Sequence, residues 1–140
     1  MAAGPHAPPI QAHICVKGGT DAIAFYEKAF GATCVFQQLA DDGKRVLHAS
    51  LQLFGGEVML NDELPEFGRD VLSPPSLGGA SMAVAIAVAQ PADVDAAIAR
   101  AETAGATVVM PACDAPWGAR YGRLRDPFGH VWEFNAPLPS

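Results

Sequence analysis

The chain has 140 residues, of which half are hydrophobic and 17% charged, with a net charge of −6. That length suits one compact domain, and the apolar content excludes a disordered chain. No basic cluster stands out, which argues against a nucleic-acid partner, and the longest apolar run, Met82 to Ala89, is too short to span a bilayer.

Three cysteines (Cys15, Cys34, Cys113) show no CxxC spacing and cannot all pair, so the expected compartment is a reducing cytoplasm and the cysteines read as packing residues. A small organic molecule is the expected partner. Met1 to Pro9 carries no basic segment leading into an apolar one, so it reads as a loose tail rather than a secretion signal.

Ile10 to Val16 alternates and ends at Gly18-Gly19, which predicts a strand. Asp21 to Phe30 follows at helical spacing with Thr20 as its cap and Gly31 as its stop. Thr33–Leu39, Arg45–Leu53 and Glu57–Asn61 read as three more strands, with a hairpin turn at Asp41-Asp42-Gly43-Lys44. In the middle one, Leu47, Ala49, Leu51 and Leu53 share a face opposite His48, Ser50 and Gln52. Asp62 and Glu63 then read as a solvated edge.

Glu63 to Gly79 holds three prolines, three glycines and two serines among seventeen residues, the composition of a linker or flap. The order then repeats: strand Met82–Ala89, helix Ala92–Ala104 with Gly105 as stop, strand Thr107–Pro111, a loop around Pro116-Trp117-Gly118, and a final hairpin. In that hairpin Pro127 and Gly129 shape the turn. Val131 and Glu133 share one face of the last strand, Trp132 and Phe134 the other.

Shifting by 74 positions lays Asp21-Ala22 on Asp95-Ala96 and Gly31-Ala32-Thr33 on Gly105-Ala106-Thr107. Shifting the last strand by 73 lays Gly56–Leu60 on Gly129–Glu133. With the matching order of elements, this predicts an α+β chain of two tandem βαβββ modules, residues 10–62 and 80–136, joined by 63–79 within a single domain spanning 1–140. Each sheet is apolar on one side, and the two open faces are expected to enclose a cleft. Phe25, Tyr26, Phe30, Trp132 and Phe134 read as core.

Glu133 is the principal candidate for chemistry: a metal ligand, a general base, or a carboxylate tied to Arg120, Arg123 or Arg125. Trp117 and Tyr121 flank a glycine-containing loop and are either a stacking surface for a flat ligand or a packed corner. Gln11, His13 and His48 sit on the polar sides of their strands, facing the expected cleft.

The run Ala22-Ile23-Ala24-Phe25-Tyr26 with Phe30-Gly31-Ala32, the His48-Ala49 strand, and Trp117-Gly118, Arg120-Tyr121-Gly122 and Asp126-Pro127-Phe128-Gly129-His130-Val131-Trp132 together resemble the vicinal oxygen chelate superfamily. This group holds glyoxalases, bleomycin-resistance proteins and extradiol dioxygenases, and the detail is most similar to its PhnB-like branch. The resemblance covers Ile10 to Asn135 and implies paired βαβββ modules assembled as homodimers. It also implies that metal-dependent members take one ligand from the first and last strand of each module. Carried over, those positions are Gln11, Leu60, Ala83 and Glu133, of which only Gln11 and Glu133 offer oxygen. Gln11 or His13 with His48 and Glu133 is the alternative set for a divalent ion. The reading preferred from the sequence is a metal-free binding protein for a small planar or amphipathic molecule. The alternative is a divalent-metal-dependent lyase or isomerase of glyoxalase type using Glu133.

Overall fold

The computed structural model describes residues 8–140; the tail reading of Met1 to Pro9 lies almost wholly outside the described residues. Two four-stranded sheets form, in the orders β1-β4-β3-β2 and β5-β8-β7-β6. The strands are β1 (Ala12–Val16), β2 (Thr33–Leu39), β3 (Val46–Leu53), β4 (Gly56–Asp62), β5 (Ala83–Ala87), β6 (Thr107–Ala115), β7 (Ala119–Arg125) and β8 (Val131–Pro137). Helix α1 (Gly19–Phe30) follows β1, and α3 (Pro91–Ala104) follows β5; a short helix α2 (Pro74–Leu77) lies between the modules. Each module is thus strand, helix, three strands, as the repeat predicts.

Helix α1 begins earlier than its sequence suggests and is capped differently. Gly18 takes a left-handed conformation (φ 91°), and no side chain of its own caps the helix. Asp62 does so instead, accepting hydrogen bonds from Gly18 N (2.8 Å), Gly19 N (2.9 Å) and Val46 N (2.7 Å). The solvated role expected of Asp62 is therefore wrong: it is 5% exposed and ties the end of β4 to the start of α1. A carboxylate is well placed there, because the first turn of a helix presents unsatisfied N–H groups. Helix α3 starts on Pro91 with a capping box between Gln90 and Asp93.

In β3, Val46 rather than Leu47 is buried, because the ladder to β2 slips between Gln38 and Leu39. Such a bulge reverses the inward set on one side of it. β6 runs on to Ala115, beyond its expected end at Pro111.

The modules meet through their helices, α1 against α3, and through the aromatic side of α1. Phe30 lies 4.7 Å from the Trp132 ring and Tyr26 5.3 Å from it. The first module's helix is thus packed on the second module's last strand, and one core spans both halves. The expected cleft differs accordingly. Both sheets bury their helix sides, and within one chain the open faces are not laid on each other.

Residues 63–79 are anchored at both ends. The Glu63 carboxylate accepts from Ser73 N at 3.0 Å and from the Ser73 hydroxyl, and Ser73 is fully buried. Further on, Pro74 packs against Gly129, where an added Cβ would lie 2.6 Å from the proline Cβ. Bonding to Ser73 above all, with Ser76 adding, holds the Glu63 carboxyl down at about 2 from 4.5. A depressed folded value means the clamp contributes fully above about pH 4.5 and is lost as pH falls toward about 2. Glu63→Gln should therefore speed tryptic cleavage after Arg69 severalfold at neutral pH. Under pepsin the excess over wild type should vanish as pH drops through that window; an excess constant with pH would discard the clamp.

Candidate functional site

Strand parity decides which side chains share the open faces. In the first sheet the register pairs His13 with Met59, Met59 with Ser50, and Ser50 with Phe36. In the second it pairs Ala85 with Glu133, Glu133 with Arg123, and Arg123 with Met110. Side chains of directly paired residues lie on the same face, so each row crosses its open face from edge to edge.

On the second sheet Glu133 is locked into a small network. The Tyr121 hydroxyl donates to Glu133 Oε2 at 2.5 Å. Arg123 donates through Nε (3.0 Å) and Nη2 (2.7 Å) to that same hydroxyl and reaches Glu133 at 3.4 Å. Of the three arginines open as partners, Arg123 is the one that pairs; Arg120 turns to the helix side and binds Asp95 (2.7 Å) and Asp114 (3.1 Å). Burial first, and the bond to Glu133 second, push the Tyr121 phenol up, which keeps it a proton donor at neutral pH. Trp117 meets Tyr121 edge-on at 5.3 Å. Tyr121 is 5% exposed and Trp117 66%, so the pair is a packed corner at Tyr121 and an open aromatic surface at Trp117.

On the first sheet Gln11 donates to Glu57, and His13 bonds Asn61 at 2.7 Å. The His13 and His48 rings stand edge to face at 5.7 Å. Burial, with His13 adding, pushes the His48 imidazole down, favouring its neutral form. Gln11, His13 and His48 thus gather on one sheet, and Trp117, Tyr121 and Glu133 on the other. Sequence reasoning missed Glu57 and Asn61, although both share parity with Met59 on β4.

The pairing of Leu60 with Glu133 requires correction. Leu60 is fully buried and its register partners are Ile14 and Ala49, both core residues. It therefore sits on the opposite face from Glu133. A shift odd by one residue crosses the sheet, and the counterpart on the open face is Met59. Ala83 does lie on Glu133's face, beside Val131, but offers no donor atom.

Within one chain these positions do not assemble a site for a divalent ion. The Gln11 amide nitrogen donates to Glu57, and Glu133 Oε2 accepts from Tyr121 and Arg123. Met59, Ala83 and Ala85 supply no oxygen or nitrogen. Among the described residues no three His, Cys, Asp or Glu side chains converge as a metal site would need. Within one chain the set of Gln11 or His13 with His48 and Glu133 is divided between two sheets.

No helix among the described residues is long and apolar enough to cross a membrane. Uncharacterised proteins of Mycobacterium bovis and Mycobacterium tuberculosis are each 42% identical to this chain over 132 residues, 94% of it, and over 84% and 75% of their own lengths. The crystal structure of TioX from Micromonospora sp. ML1 matches with a TM-score of 0.69 at 29% identity, covering 96% of this chain and all of that one. A Bacillus cereus structure described as a PhnB protein, a putative 3-demethylubiquinone-9 3-methyltransferase, shares the fold at 20% identity, with a TM-score of 0.67 and coverage of 92% and 99%. The family model for the Glyoxalase/Bleomycin resistance protein/Dioxygenase superfamily matches residues 9–134, and with two βαβββ modules in place the chain belongs to that superfamily.

Proposed function

We propose that the protein is a metal-free binding protein that holds a small planar organic molecule against the open face of its second sheet. The carrying observation is Trp117, two-thirds exposed and braced edge-on by a tyrosine whose hydroxyl is fixed to Glu133. An exposed aromatic ring offers a large contact area to a flat ligand. Glu133, accepting through Oε2 in that network, positions Tyr121 and Arg123. Gln11, His13 and His48 would line the facing wall, contributed by a second copy of the chain, since one chain leaves both open faces uncovered. A cytoplasmic homodimer with no nucleic-acid or membrane partner completes this reading. The Asp126–Trp132 run supports a place near the PhnB-like branch.

The test is fluorescence titration of chelator-treated protein with 1-pyrenebutanol, a flat uncharged probe, together with metal analysis of protein purified without added ions. Binding should persist in chelator and weaken roughly three- to tenfold in Trp117→Ala. Near-stoichiometric zinc, nickel, manganese or iron that disappears in Glu133→Ala would instead establish the metal-dependent lyase reading.

A further inference from the structure

Below the Glu133 row, the same open face runs into a second feature. β7 pairs Arg125 with Val131, one step along from Arg123 and Glu133. Both Arg125 and Val131 line a pocket of about 430 Å³ whose other walls include Pro74, Pro75, Phe128 and the inward-turned Asp126. The segment 63–79 therefore borders the open face, and the pocket it forms there has prolines, glycines and an aromatic ring beside Arg125 and Asp126.

The charges in this region are not equivalent. Arg123 is spent locally on Tyr121 and Glu133. Asp126, next in the chain to Arg125, turns inward: its oxygens accept from Tyr26, Trp132, Phe128 N and His130 N, and it is 3% exposed. Arg125 is exposed and makes no ion pair among the described residues. Along β7, then, an aromatic end at Trp117 and Tyr121 is followed by a neutralised pair and then by an unpaired guanidinium at the edge of the pocket. Tyr121 and Arg125 are four residues apart, about 13 Å along a strand.

We infer that the ligand is an elongated aromatic carboxylate, its ring against Trp117 and its acid on Arg125 at the pocket between residues 74–80 and the β7–β8 turn. The inference rests on the planar-ligand reading above and adds charge and length to it. Guanidinium matches a carboxylate with paired donors. An acid placed directly on the ring would fall beside the Arg123–Glu133 pair, short of Arg125, so a spacer of several carbons is required to reach the free guanidinium.

Three probes separate the possibilities: 1-pyrenebutyrate, its uncharged analogue 1-pyrenebutanol, and 1-pyrenecarboxylate, whose acid has no spacer. Wild-type protein should bind pyrenebutyrate about tenfold more tightly than pyrenebutanol. Arg125→Gln should bring that ratio to about one, and pyrenecarboxylate should show no dependence on Arg125. Using the ratio within each variant removes any general loss of folding. If pyrenebutanol binds but the acid has no advantage, or keeps it in Arg125→Gln, the carboxylate site is wrong and the planar site stands. If no probe binds, both readings fall.

Discussion

Asp126→Ala is expected to lose about 3–5 kcal/mol of folding stability, because it strands two buried donors and two backbone ones at once. The Tyr26 hydroxyl (2.5 Å) and the Trp132 indole N–H (2.8 Å) both donate to its Oδ2, while Phe128 N (2.8 Å) and His130 N (3.0 Å) donate to Oδ1. The two backbone groups can turn to water, but Tyr26 and Trp132 are 0% and 1% exposed and cannot. Against a total of about 5–15 kcal/mol, such a loss leaves little folded protein at body temperature. Tyr26→Phe removes only one donor and should cost about 1 kcal/mol. Urea denaturation with an unchanged slope measures both, and an alanine variant within about 1 kcal/mol of wild type would show that the hub is dispensable.

Gly19→Ala is the second large effect, at about 2–3 kcal/mol. Its added Cβ would lie 2.6 Å from Asp62 Oδ2, 2.6 Å from Val46 Cγ2 and 2.8 Å from Val46 Cβ. Neither neighbour can yield cheaply. Asp62 is held by three backbone N–H groups, and Val46 is fully buried where β3 meets the helix start. Gly56→Ala is the control: its nearest atom is 3.7 Å away, so the change should stay within about 0.5 kcal/mol. Equal melting temperatures for the two variants would refute the close approach at Gly19.

The fold was largely legible because its signals are periodic and local. The helix ends at Gly31 and Gly105 and the alternation of β8 need no tertiary information. The split of Trp132 and Phe134 from Glu133 across β8 likewise followed from parity alone. What escaped was long-range. Asp62 caps a helix that begins 43 residues earlier, and nothing in its own neighbourhood signals that. Glu63 reaches Ser73 across a segment whose composition suggested only a linker. The error at Leu60 had another origin. Matching residue types within a repeat does not fix register, and a slip by one residue moves a side chain from pocket to core. The candidate site was half legible: Glu133 was singled out apart from the Trp117 and Tyr121 pair, but the hydroxyl that joins Tyr121 to Glu133 and Arg123 depends on the β7–β8 ladder.

The aromatic side of α1 rests on the far half of the molecule, and this has a consequence for how the protein is divided. A cut after Arg69 separates the sequence at the point where the two repeats join, yet it leaves Tyr26 and Phe30 seated on Trp132 and the Tyr26 hydroxyl bonded to Asp126. Two separately synthesised halves would each expose a greasy surface shaped for the other. The covalent joint between the two modules thus contributes proximity rather than cohesion.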